Sequence, residues 1–208
     1  MRGKNTKQVI ADKALELFSQ RGYQGVTVAD IAEAVGIKAA SLYKHYPSKQ
    51  QIFDSLLRQA ANNYQRFAGT LGLDGTAFEK DVERFAQLDT ESLVEAGMAM
   101  FLFFLHDETT AKLRRMMTIE QYANKTASQL LIDQYIDLPL NYQSALLGVF
   151  KANGLLNDVD CDMAAAHFYS PLYLMLVLCD NAPEREEEAM DFLKRHVTQF
   201  KKLYIKGE

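Results

Sequence analysis

Residues 27–49 constrain the fold of this chain more than any other stretch. They read TVADIAEAVGIKAASLYKHYPSK, a pattern that predicts two short helices joined by a tight turn. Thr27 can cap the first helix, with Asp30 three residues on as a capping-box variant. Gly36 supplies a turn residue that can take a positive φ, and Ile37 restarts the apolar pattern of the second helix. The stretch therefore indicates a helix-turn-helix.

The second of these helices carries mostly hydrogen-bond donors, which are Lys38, Ser41, Tyr43, Lys44 and His45. A helix with such a surface can enter the major groove of duplex DNA with its first turn toward base edges, while flanking groups hold phosphates. Taken alone, each residue also has a structural interpretation, as a surface aromatic, a neutral surface histidine or a helix cap. The nucleic-acid interpretation depends on all of them occurring in register.

The same residues resemble the DNA-binding signature of a known family. The run V-G-I-x-x-x-S-L-Y-x-H-Y-P-S-K at residues 35–49 is similar to that of TetR-type transcriptional regulators. The turn glycine, the Leu-Tyr pair, the His-aromatic pair and the Ser-Lys cap all fall in register, and the resemblance covers roughly residues 6–58. It implies an all-α fold, in which an N-terminal three-helix helix-turn-helix DNA-binding domain is joined by a long helix to a larger helical ligand-binding and dimerisation domain.

The resemblance also implies which residues meet DNA. Eight are implied: Thr27, Ala39, Ala40, Ser41, Tyr43, Lys44, His45 and Lys49. In TetR-type proteins the third helix lies in the major groove, so the alanines face bases, the tyrosine meets a base edge or a phosphate, and Lys44 meets the groove wall. The serine and the histidine would hold phosphates. Thr27 and Lys49, at the starts of the second and fourth helices, would clamp the DNA backbone.

Position 38 departs from the family pattern, because Lys38 stands where a small hydroxyl residue is common. A cation at the start of a helix opposes the helix dipole and costs about a few tenths of a kcal/mol. We therefore expect Lys38 to serve nucleic acid, by reading a guanine or meeting a phosphate. Ala39 and Ala40 can touch thymine methyls or allow a close approach, but their side chains cannot read guanine.

The charge distribution also suits a protein that presents one end to a polyanion. Residues 1–50 hold eight Lys or Arg against four Asp or Glu, whereas the remainder holds fifteen against twenty-three. The N-terminal part is therefore basic and the rest of the chain acidic.

Apolar periodicity and caps predict helices along the whole chain. The first runs from about Thr6 to Arg21, and a long fourth helix begins at a capping box on Ser48 and ends near Gly69. The glycine-rich segment from Gly69 to Gly75 is the clearest boundary. Further helices are predicted over 76–87, 90–106, 108–123, 126–137, 140–153, 162–180 and 184–206. The predicted domains are a helix-turn-helix domain over 1–47, a connecting helix over 48–68, and a helical effector-binding and dimerisation domain over 69–208.

The last two predicted helices, over about 162–180 and 184–206, differ from the others. The first is apolar almost all round and needs covering on every side, and the second has one apolar face. We interpret the pair as half of a four-helix homodimer interface, which is also where TetR-type proteins dimerise. The alternative is that the pair completes the monomer core. The uncharged run from Met163 to Cys179 contains a histidine, a serine and a proline, which favours a buried interface helix over a membrane span.

The chain shows no convincing catalytic constellation, so no enzymatic activity, metal or cofactor is predicted. Cys161 and Cys179 are expected to be free thiols, which suit a reducing cytoplasm. Helices rich in aromatic residues and methionine can enclose apolar ligands. The candidate pocket residues for a small-molecule effector are Phe104, His106, Met117, Tyr122 and His167.

Two functions are open on these grounds. The first is a cytoplasmic, dimeric transcriptional repressor that binds a palindromic operator in double-stranded DNA and is released by a small-molecule effector. The second is a helical binding protein for a hydrophobic small molecule, in which the N-terminal motif is vestigial. Preferential binding to one palindrome over random duplex would separate the two.

Overall fold

The described part of the chain is helical. The computed structural model describes the backbone of residues 2–70 and 90–206, and the side chains of residues 6–63, 95 and 97–206. Those residues form α1 (Arg2–Arg21), α2 (Val28–Val35), α3 (Ala39–Leu42), α4 (Lys49–Thr70), α5 (Thr90–His106), α6 (Glu108–Glu120), α7 (Lys125–Ile132), α8 (Leu138–Ala152), α9 (Cys161–Asn181) and α10 (Glu186–Tyr204). A π-helical turn (Asp133–Asp137) precedes α8, and a 3-10 turn (Pro183–Arg185) precedes α10. The predicted all-α fold class is confirmed.

Most helix boundaries lie within a few residues of the predicted ones, and two differences have local causes. α1 begins at Arg2 instead of Thr6, because no proline interrupts the chain there. The helix predicted over 126–137 ends in a π-helical turn. The next helix then begins with Pro139 in its first turn, where a missing N–H is tolerated. The helix predicted over 76–87 lies outside the described residues.

The N-terminal helices form one compact unit with α6 and α7, made of residues 1–64 and 108–132. The apolar stripes of α1 to α4 meet in its interior, and α6 packs against α1. The rings of Phe18 and Phe53 meet edge to face with centroids 5.7 Å apart, which is a favoured arrangement for buried aromatics. The fully buried side chains of this unit include Ile10, Phe18, Ile31, Leu42, Ile52, Phe53, Leu56, Met116 and Met117.

The second compact unit is made of residues 65–107 and 133–208, and in it α9 packs against α5, α8 and α10. An antiparallel bridge between Leu156 and Ile205 ties the end of α10 to the loop after α8. By length and composition α9 could cross a bilayer, but a core helix passes the same test. Its Ala164 and Ala165 are buried within a core cluster of this unit. That cluster comprises Leu146, Leu147, Phe150, Leu156, Ala164, Ala165 and Phe200.

The functional boundaries expected after residues 47 and 68 stay predictions. The structure adds that residues 108–132 pack with the N-terminal helices, which no sequence pattern indicated. α5 ends at His106 and α6 begins at Glu108, so the chain passes from the second unit to the first through Asp107 alone. The other end of α6 reaches the loop between α1 and α2.

Candidate nucleic-acid interface

The turn between α2 and α3 has the geometry that the sequence predicted. Gly36 has φ +76°, in the left-handed region that glycine adopts without strain. The N–H of Ile37 donates to the carbonyl of Ala32 at 2.9 Å, and the N–H of Gly36 donates to the carbonyl of Glu33 at 3.0 Å. These bonds close the end of α2. The chain therefore turns within three residues, and α3 begins at Ala39.

α3 is anchored by its inner face. Leu42 is fully buried and Tyr46 is only 6% exposed. The N–H groups of His45 and Tyr46 both donate to the carbonyl of Leu42, at 2.9 and 3.0 Å, so helical bonding continues past α3 itself. From α1, the ammonium of Lys7 lies 5.0 Å from the centre of the Tyr46 ring. The outer face of α3 can therefore meet a ligand without any movement of its backbone.

The outer face of α3 carries most of the residues that were predicted to contact DNA. The exposed ones are Lys38, Ala39, Ala40, Tyr43 and Lys44, while Ser41 and His45 are half-buried. Tyr43 is 49% exposed, so about half of its side chain is available to a ligand. Lys38 is the N-cap residue of α3 and makes no capping hydrogen bond with its side chain. The small alanines leave the first turn without bulk, so the helix backbone can approach a groove closely.

Thr27 caps α2 through a reciprocal pair of hydrogen bonds with Asp30. Its Oγ1 accepts the N–H of Asp30 at 3.1 Å, and Oδ2 of Asp30 accepts the N–H of Thr27 at 2.8 Å, which completes the predicted capping box. The backbone N–H and the side-chain hydroxyl of Thr27 both lower the pKa of the Asp30 carboxyl, and Arg21, which donates to the same carboxylate at 3.2 Å, adds a smaller effect. A hydroxyl group both accepts and donates. The Thr27 hydroxyl is therefore engaged with Asp30, and its contact with a phosphate stays a prediction.

Lys49, which was predicted to clamp a phosphate, holds a loop of its own chain. Its Nζ donates to the carbonyls of Tyr23 at 2.7 Å and Val26 at 2.8 Å, and it lies 3.9 Å from the centre of the Tyr23 ring. An ammonium has three hydrogens, so at most one is left for a phosphate. The phosphate contact stays a prediction, while the contacts within the chain tie the start of α4 to the loop between α1 and α2.

The same loop is held from another side by Glu120, the last residue of α6. Its Oε1 accepts the N–H of Tyr23 at 2.6 Å, and the residue is only 7% exposed. Gly22 ends α1 with φ +67°, and a Cβ there would lie 2.9 Å from both the Glu120 carboxylate and the Ile119 side chain. The sequence analysis missed this contact. Glu120 and Tyr23 are 97 residues apart, and a lone glutamate at a helix end carries no specific signal.

The five candidate pocket residues are divided between the two compact units. Met117 and Tyr122 belong to the first unit. Met117 is fully buried in the core of that unit, and Tyr122 is 95% exposed in the turn after α6. The structure gives neither residue support as pocket lining, because one side chain fills a core and the other is surrounded by solvent. Phe104, His106 and His167 belong to the second unit.

Of these three, Phe104 has aromatic neighbours. Its ring meets the ring of Tyr135 edge to face, with centroids 5.9 Å apart. The hydroxyl of Tyr169 donates to the carbonyl of Tyr135 at 2.8 Å, and the rings of Tyr135 and Tyr173 lie 6.4 Å apart. We call Phe104, Tyr135, Tyr169 and Tyr173 the aromatic cluster. It joins α5, the π-helical turn and α9.

The two histidines join helices at the surface of the second unit instead. Nε2 of His106, at the end of α5, lies 2.8 Å from Oε1 of Glu186 at the start of α10. His167 of α9 contacts the hydroxyl of Tyr204 near the end of α10 through Nδ1. Both residues are exposed. Their described contacts are with α10 rather than with the aromatic cluster.

Comparisons with known proteins bear on the N-terminal helices first. Residues 10–56 match the family model described as bacterial regulatory proteins, tetR family. The chain is 43% identical over 70 residues to IcaR of Staphylococcus epidermidis, the negative transcriptional regulator of the biofilm operon icaADBC, with 28% of this chain and 38% of that protein covered. It is 48% identical over 52 residues to IcaR of Staphylococcus aureus strain Newman, covering 25% and 28%. The chain thus spans about a third of the length of these curated relatives.

Solved structures extend the likeness to the whole chain. A TetR-family transcriptional regulator from Mesorhizobium loti has a TM-score of 0.66, covers 99% of both chains and is 17% identical. A transcriptional regulator from Saccharomonospora viridis, solved in complex with choline, has a TM-score of 0.65 and 18% identity, and covers 98% of this chain and 100% of that one. At such identities the likeness shows the fold alone.

The fold is that of a helix-turn-helix protein with a larger helical domain. Its signature at residues 35–49 lies within the segment that the family model matches, and the structure places the polar side of that signature on the surface. Residues 10–56 match the family model of the TetR-type regulatory proteins, so the resemblance noted in the sequence is confirmed for the N-terminal helices.

Proposed function

We propose that this protein is a sequence-specific, DNA-binding transcriptional repressor, which binds a palindromic operator as a homodimer and leaves it when a small-molecule effector binds. The outer face of α3 is the observation that carries the proposal. Lys38, Tyr43 and Lys44 stand exposed around two alanines, on a helix whose Leu42 is fully buried. The major groove of DNA admits an α-helix, and its base edges offer acceptors to such donors.

The flanking groups suit the phosphates on either side of that groove. Thr27 lies at the N-terminus of α2, where the helix dipole favours an anion. Ser41 and His45 lie half-buried beside the exposed residues of α3. Binding to bacterial DNA requires a cytoplasmic protein, which agrees with the free thiols of Cys161 and Cys179. The relatives are transcriptional regulators, and no enzymatic activity is proposed.

Selection from a library of palindromic duplexes tests the proposal. We expect the protein to retain one sequence family, with half-sites about one helical turn of DNA, or a multiple of it, apart. Affinity for the selected duplex should fall steeply between about 50 and 200 mM salt, because phosphate contacts release counterions. Fluorescence anisotropy against a scrambled duplex measures both effects. Retention of unrelated sequences without preference would contradict the proposal.

The homodimer is supported by an exposed apolar face on α9 and α10. On α9, Met163, Leu174 and Val177 are 55%, 58% and 40% exposed. Their spacings of eleven and three residues place them along one side of that helix. On α10, Phe192 and Leu203 are 37% and 56% exposed. A second copy that presents the same face would cover these side chains on both subunits, as a twofold interface requires.

Replacing Leu174 with glutamate should convert the dimer to a monomer. The twofold relation would bury the new carboxylate once from each subunit, and an unpaired buried charge weakens association by roughly hundredfold or more. Sedimentation equilibrium measures the change. Leu155→Glu is the matched control, because Leu155 is 39% exposed in the loop after α8, outside α9 and α10, and this variant should stay dimeric. A dimer that survives Leu174→Glu at wild-type affinity would rule out this interface.

The effector site is proposed at the aromatic cluster of the second unit. Aromatic rings from three elements can hold an apolar ligand, or an organic cation against their faces. The Saccharomonospora viridis regulator, which has the same fold, was solved with choline bound. That complex supports a small-molecule site in this fold. The second candidate function, a helical small-molecule-binding protein that does not bind DNA, has support from the same cluster, and the selection experiment separates the two.

A further inference from the structure

We infer that Glu120 is a positioning residue for DNA binding, whose carboxylate holds the loop between α1 and α2 so that Thr27 and the start of α2 face a phosphate. The inference rests on the proposed function and adds a residue to it. Glu120 lies on α6, outside residues 10–56, which are the segment that the family model matches. It belongs to the same compact unit as the helix-turn-helix.

The contact itself is short and shielded from solvent. Oε1 of Glu120 lies 2.6 Å from the backbone nitrogen of Tyr23, and the residue is 7% exposed. A hydrogen bond to an ionised carboxylate is roughly twice as strong as one between neutral groups. The backbone of Glu120 is fixed as well, because its carbonyl accepts the N–H groups of Ala123 at 3.0 Å and Asn124 at 2.8 Å. These bonds fix the backbone from which the Glu120 side chain extends.

Glu120 lies at an end of α6 where a negative charge destabilises the helix. It is the last residue of α6, and the C-terminal end of a helix carries partial negative charge that disfavours a carboxylate. A lysine or an arginine would suit α6 better at this point. The contact that this carboxylate makes is with the loop between α1 and α2, which indicates that the loop is what it serves.

Two side chains hold the loop between α1 and α2 through the backbone of Tyr23. The N–H of Tyr23 donates to Glu120 of α6, and the carbonyl of Tyr23 accepts from Lys49 of α4. Lys49 also binds the carbonyl of Val26, which is fully buried and directly precedes Thr27. Gly22 lets the end of α1 approach α6 so closely that a Cβ at this position would not fit. Release of the Glu120 contact would free the N-terminal side of this loop and change the placement of Thr27.

The loss of charge and the loss of the loop contact predict opposite changes in DNA affinity when Glu120 is replaced by alanine. Removal of a negative charge from a DNA-binding unit strengthens its attraction to a polyanion. Loss of the acceptor for Tyr23, in contrast, leaves a backbone N–H unpaired and should weaken binding about tenfold or more. A Glu120→Ala variant that binds DNA more weakly therefore cannot be explained by its change in charge.

The experiment compares four variants for affinity to the selected duplex, thermal stability and hydrogen exchange of the loop peptide. Glu120→Ala should bind at least about tenfold more weakly, with faster exchange at Tyr23. Glu120→Gln keeps an acceptor oxygen and should bind as the wild type or more tightly. Glu120→Asp keeps the charge but shortens the side chain, and should bind more weakly. Glu108→Ala, at an exposed carboxylate on the same helix, should not weaken binding.

Two results would overturn the inference. One is wild-type or tighter binding by both Glu120→Ala and Glu120→Asp. The other is a Glu120→Gln variant as weak as Glu120→Ala, because the glutamine keeps an acceptor oxygen for the N–H of Tyr23 and that acceptor would then have no effect on binding. If Glu120→Ala does not fold, Glu120→Asp and Glu120→Gln decide the matter by themselves. Failure of the proposed function is distinguishable, because then the wild type and Glu108→Ala would also show no preference for any duplex.

Discussion

Tyr43→Ala should abolish operator binding while the protein stays folded. The Tyr43 side chain is half exposed on the outer face of α3, where it would meet a base edge or a phosphate. A good base contact is worth about 1–3 kcal/mol. The dimer makes each contact twice, so affinity should fall between about thirtyfold and about twenty-thousandfold. Substitution of a surface residue usually changes the free energy of unfolding by less than about 0.5 kcal/mol.

Anisotropy on the selected duplex and calorimetric unfolding measure these two quantities. Tyr43→Phe separates the ring from its hydroxyl, and it should keep part of the affinity if the ring packs on the groove. Tyr122→Ala is the matched control, because Tyr122 is a tyrosine of the same compact unit that is 95% exposed in the turn after α6. It should bind DNA as the wild type does. Full-affinity binding by Tyr43→Ala would refute the assignment of α3 as the reading helix.

Lys49→Met should destabilise the fold first and weaken DNA binding as a consequence. Methionine keeps the length and the apolar stem but removes the ammonium that binds the carbonyls of Tyr23 and Val26. Two part-buried carbonyls then lose their donor, and the contact with the Tyr23 ring is lost as well. We expect the free energy of unfolding to fall by about 1–3 kcal/mol. Chemical denaturation of the variant and the wild type measures this change.

Lys44→Met is the control that separates a loop contact from a phosphate contact. Lys44 is exposed in the turn directly after α3, so its loss should leave unfolding unchanged. It should lower the salt dependence of DNA binding by about one counterion for each subunit. If Lys49→Met behaved in that way, with normal stability and a smaller salt slope, then the main role of Lys49 would be to bind phosphate, and the contacts with the loop would be secondary.

The sequence was sufficient to predict the geometry around α3 but not to choose the pocket residues. The turn at Gly36 and the capping box of Thr27 could both be predicted. Each depends on residues within one or two helical turns of one another, where spacing fixes geometry. The pocket candidates Met117 and Tyr122 were chosen by residue type alone. Residue type does not distinguish a core methionine or a surface tyrosine from one that lines a cavity.

The sequence by itself determined the helical fold and the helix-turn-helix, because periodicity and capping are local properties of a chain. Only the tertiary structure decided the roles of Lys49 and Glu120. Their partners lie 26, 23 and 97 residues away, and a lysine or glutamate in a sequence does not indicate which distant backbone group it binds. The folded core brings α4 and α6 to the same loop, and that proximity gives both side chains their role.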